Sequence, residues 1–331
     1  MVGLEGLRIL VTGGAGFIGS HIVDALVGHG AEVTVFDNLS SGSKQNIKHL
    51  GKKITLITGD ILDYQKILDA SDGIDVISHQ AAQLEITRCI DDPIEDLRVN
   101  TIGSLNVFNA AVKNHVSKVI YASSACVYGQ ARYIPEPEDH PLTPNWPYGV
   151  SKLAVEKYAD IYRDFHKLPA IGLRYSIIYG PREWYGRVLT VFLKRALEGR
   201  PPVVWGGDQV RDFCHVTDVI AFHNLILQHD DIGNNVFNVS TGRGTTISDL
   251  ANMVVDIFGL EPPIYEELAE GATSSAVAGR MRLPLELREM VLDNSRARQL
   301  GWTPKIGLRD GLIDEYNWIK NNVDRWQSMS Y

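Results

Sequence analysis

Cysteine is scarce in this 331-residue chain, which contains only Cys89, Cys126 and Cys214. Their odd number and wide spacing exclude a disulfide framework of the kind that holds small secreted domains together. The same spacing offers no set of metal ligands, so we expect no metal. This use of cysteine is typical of a reducing compartment and predicts a cytoplasmic protein.

The chain also lacks an excess of positive charge and any long hydrophobic run. Lys and Arg total 32 against 40 Asp and Glu, and the resulting net charge of -8 argues against nucleic acid as a partner. A local basic pocket for a small diphosphate stays compatible with that charge. No run approaches the roughly 18 apolar residues that cross a bilayer, and the N-terminal residues do not resemble a secretory leader. We therefore expect no contact with a membrane.

Short β-branched and apolar segments alternate with helical patterns through the first half of the chain. Phe17 to Gly30, for example, carries apolar residues at helical spacing. Such alternation predicts an α/β protein built on a doubly wound parallel sheet. The predicted strands are residues 8–11, 33–36, 54–58, 74–78, 118–122 and 170–174.

A glycine-rich turn directly follows the first predicted strand and opens the first helix. Gly13, Gly16 and Gly19 suit a turn whose backbone approaches a pyrophosphate, while the helix N-terminus faces its negative charge. Asp37 ends the next strand, where a carboxylate can bind both hydroxyls of an adenosine ribose and would repel a phosphate. The turn therefore predicts a Rossmann-type site for NAD rather than NADP. Asp60 and Ile61 either lie beside the adenine or cap the end of the third strand.

After about residue 179 the alternation becomes irregular, and prolines at 201–202, 262–263 and 284 interrupt it. We predict an NAD-binding domain over residues 1–178 and a smaller mixed α/β lobe over 179–331. Segments near 213–240 are expected to return to the first domain. The lobe should hold the substrate against the C-terminal edge of the sheet, where open sheets of this type bind ligands.

Tyr148 and Lys152 form the most informative pair in the chain. Their spacing places both side chains on one face of a helix. A free tyrosine ionises near pH ~10, and a neighbouring ammonium and an oxidised nicotinamide would both lower its pKa. Such a tyrosine can remove the proton of a sugar hydroxyl while hydride leaves the carbon that bears it. The pair predicts a nicotinamide enzyme that acts at a carbinol.

An ordered set of motifs closely resembles the extended short-chain dehydrogenase/reductase family over nearly the whole chain. Within that family the chain is most similar to the UDP-glucose (UDP-galactose) 4-epimerases and related nucleotide-sugar epimerases. The motifs are Thr12–His21, Phe36–Gly42, Ser123–Ala125 before Val127–Gly129, Tyr148 with Lys152, Leu173–Tyr175, Tyr179–Arg182, Arg211–Phe213 and Leu300–Trp302.

The resemblance implies roles for individual residues. Tyr148 matches the acid/base, Lys152 the lysine that binds the nicotinamide ribose, and Ser124 the hydroxyl that bonds the reacting sugar oxygen. One of Ser123 and Ser124 is expected only to cap the strand end. The matching cofactor residues are Gly13, Gly16, Phe17, Ile18, Gly19, Asp37, Asn38, Ser40, Gly42, Asp60, Ile61, Ala81, Ala82, Asn100, Tyr148, Lys152 and Tyr175. The matching substrate residues are Ser124, Ala125, Cys126, Tyr148 and Arg211, with either Arg282 or Arg288 as a second diphosphate ligand.

The implied reaction is 4-epimerisation of a UDP-hexose, UDP-N-acetylhexosamine or UDP-uronate without net redox change. Tyr148 takes the proton of the 4-hydroxyl as hydride passes to NAD, and the 4-keto sugar turns before hydride returns to its other face. The nucleotide, remote from the reacting carbon, would hold the intermediate in the site. The resemblance also suggests a homodimer, to which the segment Trp318–Trp326 is a candidate contributor.

Departures from the family pattern leave alternatives open. Ile177 stands where the family's asparagine bonds a substrate phosphate, and Glu85 introduces a carboxylate near the sugar. Cys126 resembles the proton shuttle of the GDP-mannose 3,5-epimerases, although residues 183–187 lack the lysine that accompanies it there. The absence of carboxylates after Ser124 argues against a 4,6-dehydratase. Another nucleotide-sugar oxidoreductase and a non-catalytic NAD-binding protein complete the alternatives.

Overall fold

A seven-stranded, all-parallel sheet forms the centre of a computed structural model that describes residues 3–183, 186–229, 233–277 and 279–327. With elements numbered in chain order, its strands are β1 (Arg8–Thr12), β2 (Glu32–Asp37), β3 (Ile54–Thr58), β4 (Val76–His79), β5 (Lys118–Ser124), β6 (Ala170–Tyr175) and β11 (Val236–Val239). Their order across the sheet is β3-β2-β1-β4-β5-β6-β11. The direction of winding reverses between β1 and β4, so the predicted doubly wound, Rossmann-type sheet is confirmed.

Helices cover both faces of this sheet, and alternate residues of each strand enter different cores. In β1, Ile9 and Val11 pack on one side, whereas Leu10 packs on the other, and all three are fully buried. This alternation is the two-residue period of an extended strand, and burial on both faces explains the continuous apolar runs. The helices are α1 (Phe17–Gly28), α2 (Tyr64–Ala70), α3 (Ile86–Asp91), α4 (Pro93–Asp96), α5 (Gly103–Lys113), α6 (Pro147–His166) and α8 (Val216–Gln228).

The remaining elements build a smaller lobe with its own apolar core, in which Phe192, Leu250 and Leu312 are buried. They are β7 (Ile177–Tyr179), α7 (Val188–Leu197), β8 (Val203–Trp205), β9 (Val210–Arg211), β10 (Phe213–His215), β12 (Thr245–Thr246), α9 (Ile247–Phe258), β13 (Ile264–Glu266), β14 (Glu289–Met290), α10 (Ser295–Gln299), α11 (Leu308–Asn321) and α12 (Val323–Gln327). The short sheets of the lobe pair β7 with β10, β8 with β13, and β9 with β12 and β14. Trp318 packs against the core of the lobe, so its part of the C-terminal segment contributes to internal packing.

One helix differs from the sequence-based expectation. The helix through Asn106 and Val112 is preceded by a π-helical stretch, Leu97–Ile102, that the apolar periodicity does not reveal. Such wide turns are uncommon and often occur near functional sites. Here the stretch contains Asn100, whose contacts are described below. Among the helices of the described ranges, none combines the length and the apolar composition that a bilayer crossing requires.

Candidate active site

The glycine turn between β1 and α1 is too tightly packed for side chains. Gly13 has a φ of +69°, and a Cβ at this position would lie 2.6 Å from the amide nitrogen of Ala81. A Cβ at Gly19 would clash with the carbonyl oxygen of Gly13. Gly16 forms the N-cap of α1 without a side-chain capping bond, which leaves the first-turn amides of that helix facing the turn. The backbone therefore forms a cradle suited to a phosphate.

Asp37 closes the same cradle from the end of β2. Its Oδ2 accepts a hydrogen bond from the Ala15 amide at 2.9 Å, and its Oδ1 accepts one from the Leu39 amide at 2.7 Å. Burial raises the pKa of this carboxyl, while both amides act in the opposite direction. Gly42 lies against it, since a Cβ there would be 2.9 Å from Oδ1. Asp37 thus fixes the loop and also lines the cavity.

A cavity of about 250 Å³ runs along the carboxyl edge of the sheet and brings together most of the predicted residues. The predicted residues that line it are Gly13, Gly16, Phe17, Ile18, Gly19, Asp37, Asn38, Ser40, Asp60, Ile61, Ala81, Ala82, Ser124, Ala125, Cys126, Tyr148, Lys152 and Tyr175. Gly42, Asn100, Arg211 and Arg282 are not part of this lining. The side chains and the cradle together fit an extended dinucleotide.

Asn100 supports the cavity wall from behind. Its side chain accepts from the Gln83 amide and donates to the Gln83 carbonyl, each at 2.9 Å, and it donates to Asp96 at 2.7 Å. Its backbone carbonyl accepts from Ser104 Oγ, which in turn contacts His79 Nε2 at 2.9 Å. Asn100 therefore holds the loop after β4 in place, instead of facing the cavity.

His79 has a defined hydrogen-bonding arrangement in this network. Because Ser104 spends its only proton on the Asn100 carbonyl, His79 Nε2 must be the donor to Ser104 Oγ. His79 Nδ1 then accepts from Thr12 Oγ1 at 2.7 Å. Burial lowers the pKa of His79 to about 3, which is consistent with this neutral tautomer. The histidine joins β1, β4 and α5 below the site.

Tyr148 and Lys152 lie on successive turns at the start of α6. Pro147 occupies the first turn, where its missing N–H costs no helical hydrogen bond. Lys152 Nζ lies 5.7 Å from the centroid of the Tyr148 ring and donates to the Ala122 carbonyl at 2.9 Å. Burial lowers the pKa of Lys152 to about 8. The ammonium is thereby positioned between the end of β5 and the tyrosine.

Ser123 and Ser124 differ sharply in their surroundings. Ser123 Oγ donates to Glu156 at 2.5 Å, and Glu156 forms a buried bidentate pair with Arg174 at 2.6 and 2.8 Å. Ser124 Oγ accepts from the Cys126 amide at 3.1 Å, so its own proton can be donated to a ligand. Ser124 also pairs in register with Tyr175 on β6. The geometry gives Ser123 a structural role and presents Ser124 to the cavity.

Cys126 lies beside Ser124 and is half-buried. Burial raises the pKa of its thiol, whereas Arg211 and Arg187 act in the opposite direction. At neutral pH the side chain is therefore a thiol and not a nucleophilic or basic thiolate. Of the nearby segment 183–187, Trp184 and Tyr185 lie outside the described residues.

The two arginines predicted to bind a diphosphate are engaged elsewhere. Arg211 donates to the carbonyls of Val210, Leu287 and Arg288 at 2.7–3.2 Å. Arg282 donates to Glu286 at 3.0 Å and to the Leu268 carbonyl at 2.7 Å. Neither side chain lines the cavity, because the chain between β13 and β14 folds over both of them.

The cavity also contains side chains that sequence reasoning did not select. Gln80 and Ser176 directly follow β4 and β6, and position at a strand end is a signal that could have identified them. Arg187 and Met290 come from the second lobe and carry no such signal. The additional lining residues are Phe36, Ser41, Gly59, Gln80, Leu84, Ile86, Val99, Ala122, Ser123, Ser176, Ile177, Ile178, Arg187 and Met290.

Comparison with known proteins places this site in context. Residues 9–240 match the NAD dependent epimerase/dehydratase family. A putative UDP-glucose 4-epimerase of Methanocaldococcus jannaschii is 35% identical over 95% of this chain and 99% of the relative.

Two solved structures extend the similarity over the whole fold. The UDP-glucose 4-epimerase of Thermotoga maritima, solved with UDP-glucose, superposes with a TM-score of 0.86 at 34% identity, covering 96% of this chain and all of that one. The UDP-glucose 4-epimerase of Thermus thermophilus, solved with NAD, gives 0.84 at 32% identity with coverages of 96% and 100%. The chain is therefore a member of the NAD-dependent epimerase/dehydratase family of enzymes.

Proposed function

We propose that this protein is an NAD-dependent nucleotide-sugar 4-epimerase. The observation that supports this most strongly is a single cavity lined by Ser124, Tyr148 and Lys152 at one end and by the glycine turn and Asp37 at the other. Such an arrangement suits a dinucleotide whose reactive ring lies beside the tyrosine. The relatives and solved structures named above favour a UDP-sugar as the substrate.

The cofactor-binding role follows from charge and shape. The cradle formed by Gly13, Gly16 and Gly19 would hold the pyrophosphate, and Asp37 would accept hydrogen bonds from the ribose hydroxyls at the adenosine end. A 2′-phosphate there would face the Asp37 carboxylate, so NAD is favoured over NADP. When bound, NAD supplies a reversible hydride acceptor for carbon 4 of the sugar.

The chain's own residues would move the protons. Tyr148 would remove the proton from the sugar 4-hydroxyl and later return it to the same oxygen. Lys152, held by the Ala122 carbonyl, would favour the Tyr148 phenolate through its charge. Ser124 would donate its hydroxyl proton to the reacting oxygen and hold it in place. These steps return the enzyme to its starting protonation state.

We also propose the division of labour between residues 1–178 and 179–331. The first region would bind NAD and the second the nucleotide sugar. The pairing of β11 with β6 supports a return of residues 236–239 to the first region. The three free cysteines are compatible with a cytoplasmic location.

A homodimer is supported by an apolar stripe on α6. Val150, Tyr158, Ile161 and Phe165 are 40–80% exposed, and at about 100° per residue they fall within one arc of roughly 80°. Exposed Ile94, Leu97 and Ile102 lie on the segment that packs beside α6. The stripe extends the exposed apolar surface along a helix whose other face is buried. Two copies of α6 could cover one another, as in a helical bundle.

One observation favours a second candidate reaction. Cys126 lines the cavity beside Ser124, where a thiol could exchange a proton with a sugar carbon. That role would give 3,5-epimerisation. The raised pKa of Cys126 opposes it, because the thiolate is the base that the reaction requires.

Proton NMR in deuterated buffer tests the proposal and separates the two reactions. Purified protein without added NAD is incubated with UDP-hexoses, UDP-N-acetylhexosamines, UDP-uronates and GDP-mannose. Interconversion of C4 epimers without deuterium at C3 or C5 supports 4-epimerisation by a retained cofactor. Deuterium at those carbons would overturn it in favour of the Cys126 reaction. Absence of any conversion would leave an NAD-binding protein without this activity.

A further inference from the structure

A nucleotide sugar carries two phosphate charges, and the cavity must provide a cation for them. We infer that Arg187, and not Arg211 or Arg282, is the arginine that binds the diphosphate of the substrate. This inference rests on the proposed nucleotide-sugar function. It concerns a residue to which the family resemblance assigns no role.

Arg187 is the guanidinium that lines the cavity. Its Nη2 donates to the Ile178 carbonyl at 2.7 Å, and its Nε donates to Glu183 at 2.9 Å. Ile177 and Ile178 line the same wall, so these bonds hold the guanidinium where the family's phosphate-binding asparagine is replaced by Ile177. A planar fork that is fixed by two partners is well suited to a phosphate group.

The other predicted arginines would have to break existing bonds to reach the ligand. Arg211 donates to three backbone carbonyls and lies 3.8 Å from Glu286. Arg282 shares the same Glu286 carboxylate at 3.0 Å. Releasing either would leave buried carbonyls or a carboxylate without partners, which is unfavourable. Arg187 requires no such rearrangement to contact a group in the cavity.

The charge distribution around the cavity agrees with this assignment. Among the described lining residues the carboxylates are Asp37 and Asp60, which follow β2 and β3 at the adenosine end. Arg187 lies on the opposite side, beyond β5 and β6. It is also the N-cap of α7, a ten-residue helix whose N-terminus favours an anion. The cation and the helix end thus attract negative charge at the substrate end only.

Glu183 holds Arg187 in place and does not abolish this attraction. Its side chain is 1% exposed, and it lies near Glu315, which is fully buried and accepts from the Gly180 amide at 2.9 Å. Burial raises the pKa of Glu183, whereas Arg187 lowers it. The Glu183 carboxylate is therefore only weakly favoured as an anion, so a phosphate can compete for the guanidinium.

The test measures binding of UDP, dTDP, GDP and uridine by calorimetry to the NAD-loaded protein. Four variants are compared with the wild type: Arg187→Met, Glu183→Gln/Arg187→Met, Glu183→Gln and Arg211→Met. The double variant removes the cation without leaving a buried carboxylate unpaired. Arg200→Met, on an exposed residue of the same lobe, is the control. Thermal unfolding and retained NAD are recorded for every variant.

We expect both variants without Arg187 to bind the favoured nucleoside diphosphate about 10- to 100-fold more weakly, as when a hydrogen bond to a charged group is lost. Uridine binding should be unchanged, and Glu183→Gln should bind UDP at least as well as the wild type. Unchanged affinity in the double variant overturns the inference. So does an equal or larger loss in folded Arg211→Met.

Two further outcomes separate the sources of the effect. A loss confined to UDP-glucuronate, with UDP unaffected, would assign Arg187 to a sugar carboxylate and overturn the diphosphate assignment. A wild-type protein that binds no nucleoside diphosphate would overturn the proposed function together with this inference. Binding of UDP that depends on Arg187, in a protein that epimerises no sugar, would support the inference while the 4-epimerase proposal fails.

Discussion

Lys152 Nζ lies 5.7 Å from the centroid of the Tyr148 ring while it donates to the Ala122 carbonyl at 2.9 Å. One side chain therefore links α6 to the end of β5, the strand that also presents Ser124. A cation held at this position can act on the tyrosine without contacting its hydroxyl directly. The first three predictions follow from this arrangement.

Tyr148→Phe removes the proposed acid/base and keeps the ring. We expect the epimerisation rate to fall by about 10²- to 10⁴-fold, because proton transfer at the sugar oxygen is lost. NMR of the C4 epimers measures the rate, and UDP affinity should stay close to that of the wild type. Tyr158→Phe on the exposed face of the same helix is the matched control. Comparable rates in Tyr148→Phe and wild type would refute the assigned role.

Lys152 should control the alkaline side of the pH profile. Burial lowers its pKa to about 8, so the ammonium that favours the Tyr148 phenolate is lost as the pH rises through that value. The rate should therefore decline above about pH 8. Lys152→Met should be slower at neutral pH and should lack this decline. Steady-state rates from pH 6 to 10 test the prediction, and the same alkaline limb in Lys152→Met would contradict it.

Ser123→Ala and Ser124→Ala form a pair whose effects should separate. Ser124→Ala should lower the rate about tenfold or more with little change in unfolding temperature, because its hydroxyl faces the cavity. Ser123→Ala should lower the free energy of unfolding by about 1–3 kcal/mol, because the buried Glu156 loses a hydrogen bond. Activity assays and chemical denaturation distinguish the two. The reverse pattern would exchange the proposed roles.

Glu136 gives a prediction about stability and pH. Both of its carboxylate oxygens are buried without a partner among the described residues, and burial raises its pKa to about 8. A carboxyl with a raised pKa binds its proton in the folded state while the unfolded chain has released it. Its contribution to stability is therefore lost as the pH rises from about 4.5 to 8.

The variant Glu136→Gln removes this penalty. We expect it to raise the free energy of unfolding by about 1–3 kcal/mol at pH 8.5 and by much less at pH 5. Urea denaturation at both pH values measures the difference, and Glu261→Gln at an exposed position is the control. A gain that is equal at the two pH values would show that the charge is not its cause.

Phe165→Glu tests the proposed dimer through α6. Phe165 is 80% exposed, so a charge there should be tolerated by a monomer but should oppose burial in a helical interface. Light scattering after size exclusion should show a wild-type dimer and a variant of half that mass. Lys157→Glu on the same helix serves as a charge control. A monomeric wild type would refute the proposal.

Local sequence was sufficient for the parts of the site whose residues are close in the chain. The Gly13–Gly19 turn is determined by its own backbone requirements between a strand and a helix, and Tyr148 with Lys152 by the period of one helix. The alternation of strands and helices likewise predicted the doubly wound sheet. The π-helical stretch around Asn100 was not predicted, since it does not change the apolar pattern enough to be detected.

Only the tertiary structure decided which remote side chains meet the cavity. Ser123 and Ser124 are chemically identical neighbours, and strand alternation directs one toward Glu156 and Arg174 and leaves the other at the cavity. Arg211 and Arg187 are both arginines of the second lobe, yet the carbonyls of Leu287 and Arg288 occupy the first, while the second lies beside Ile178 in the cavity wall. These outcomes depend on contacts between residues far apart in the chain, for which local spacing carries no information.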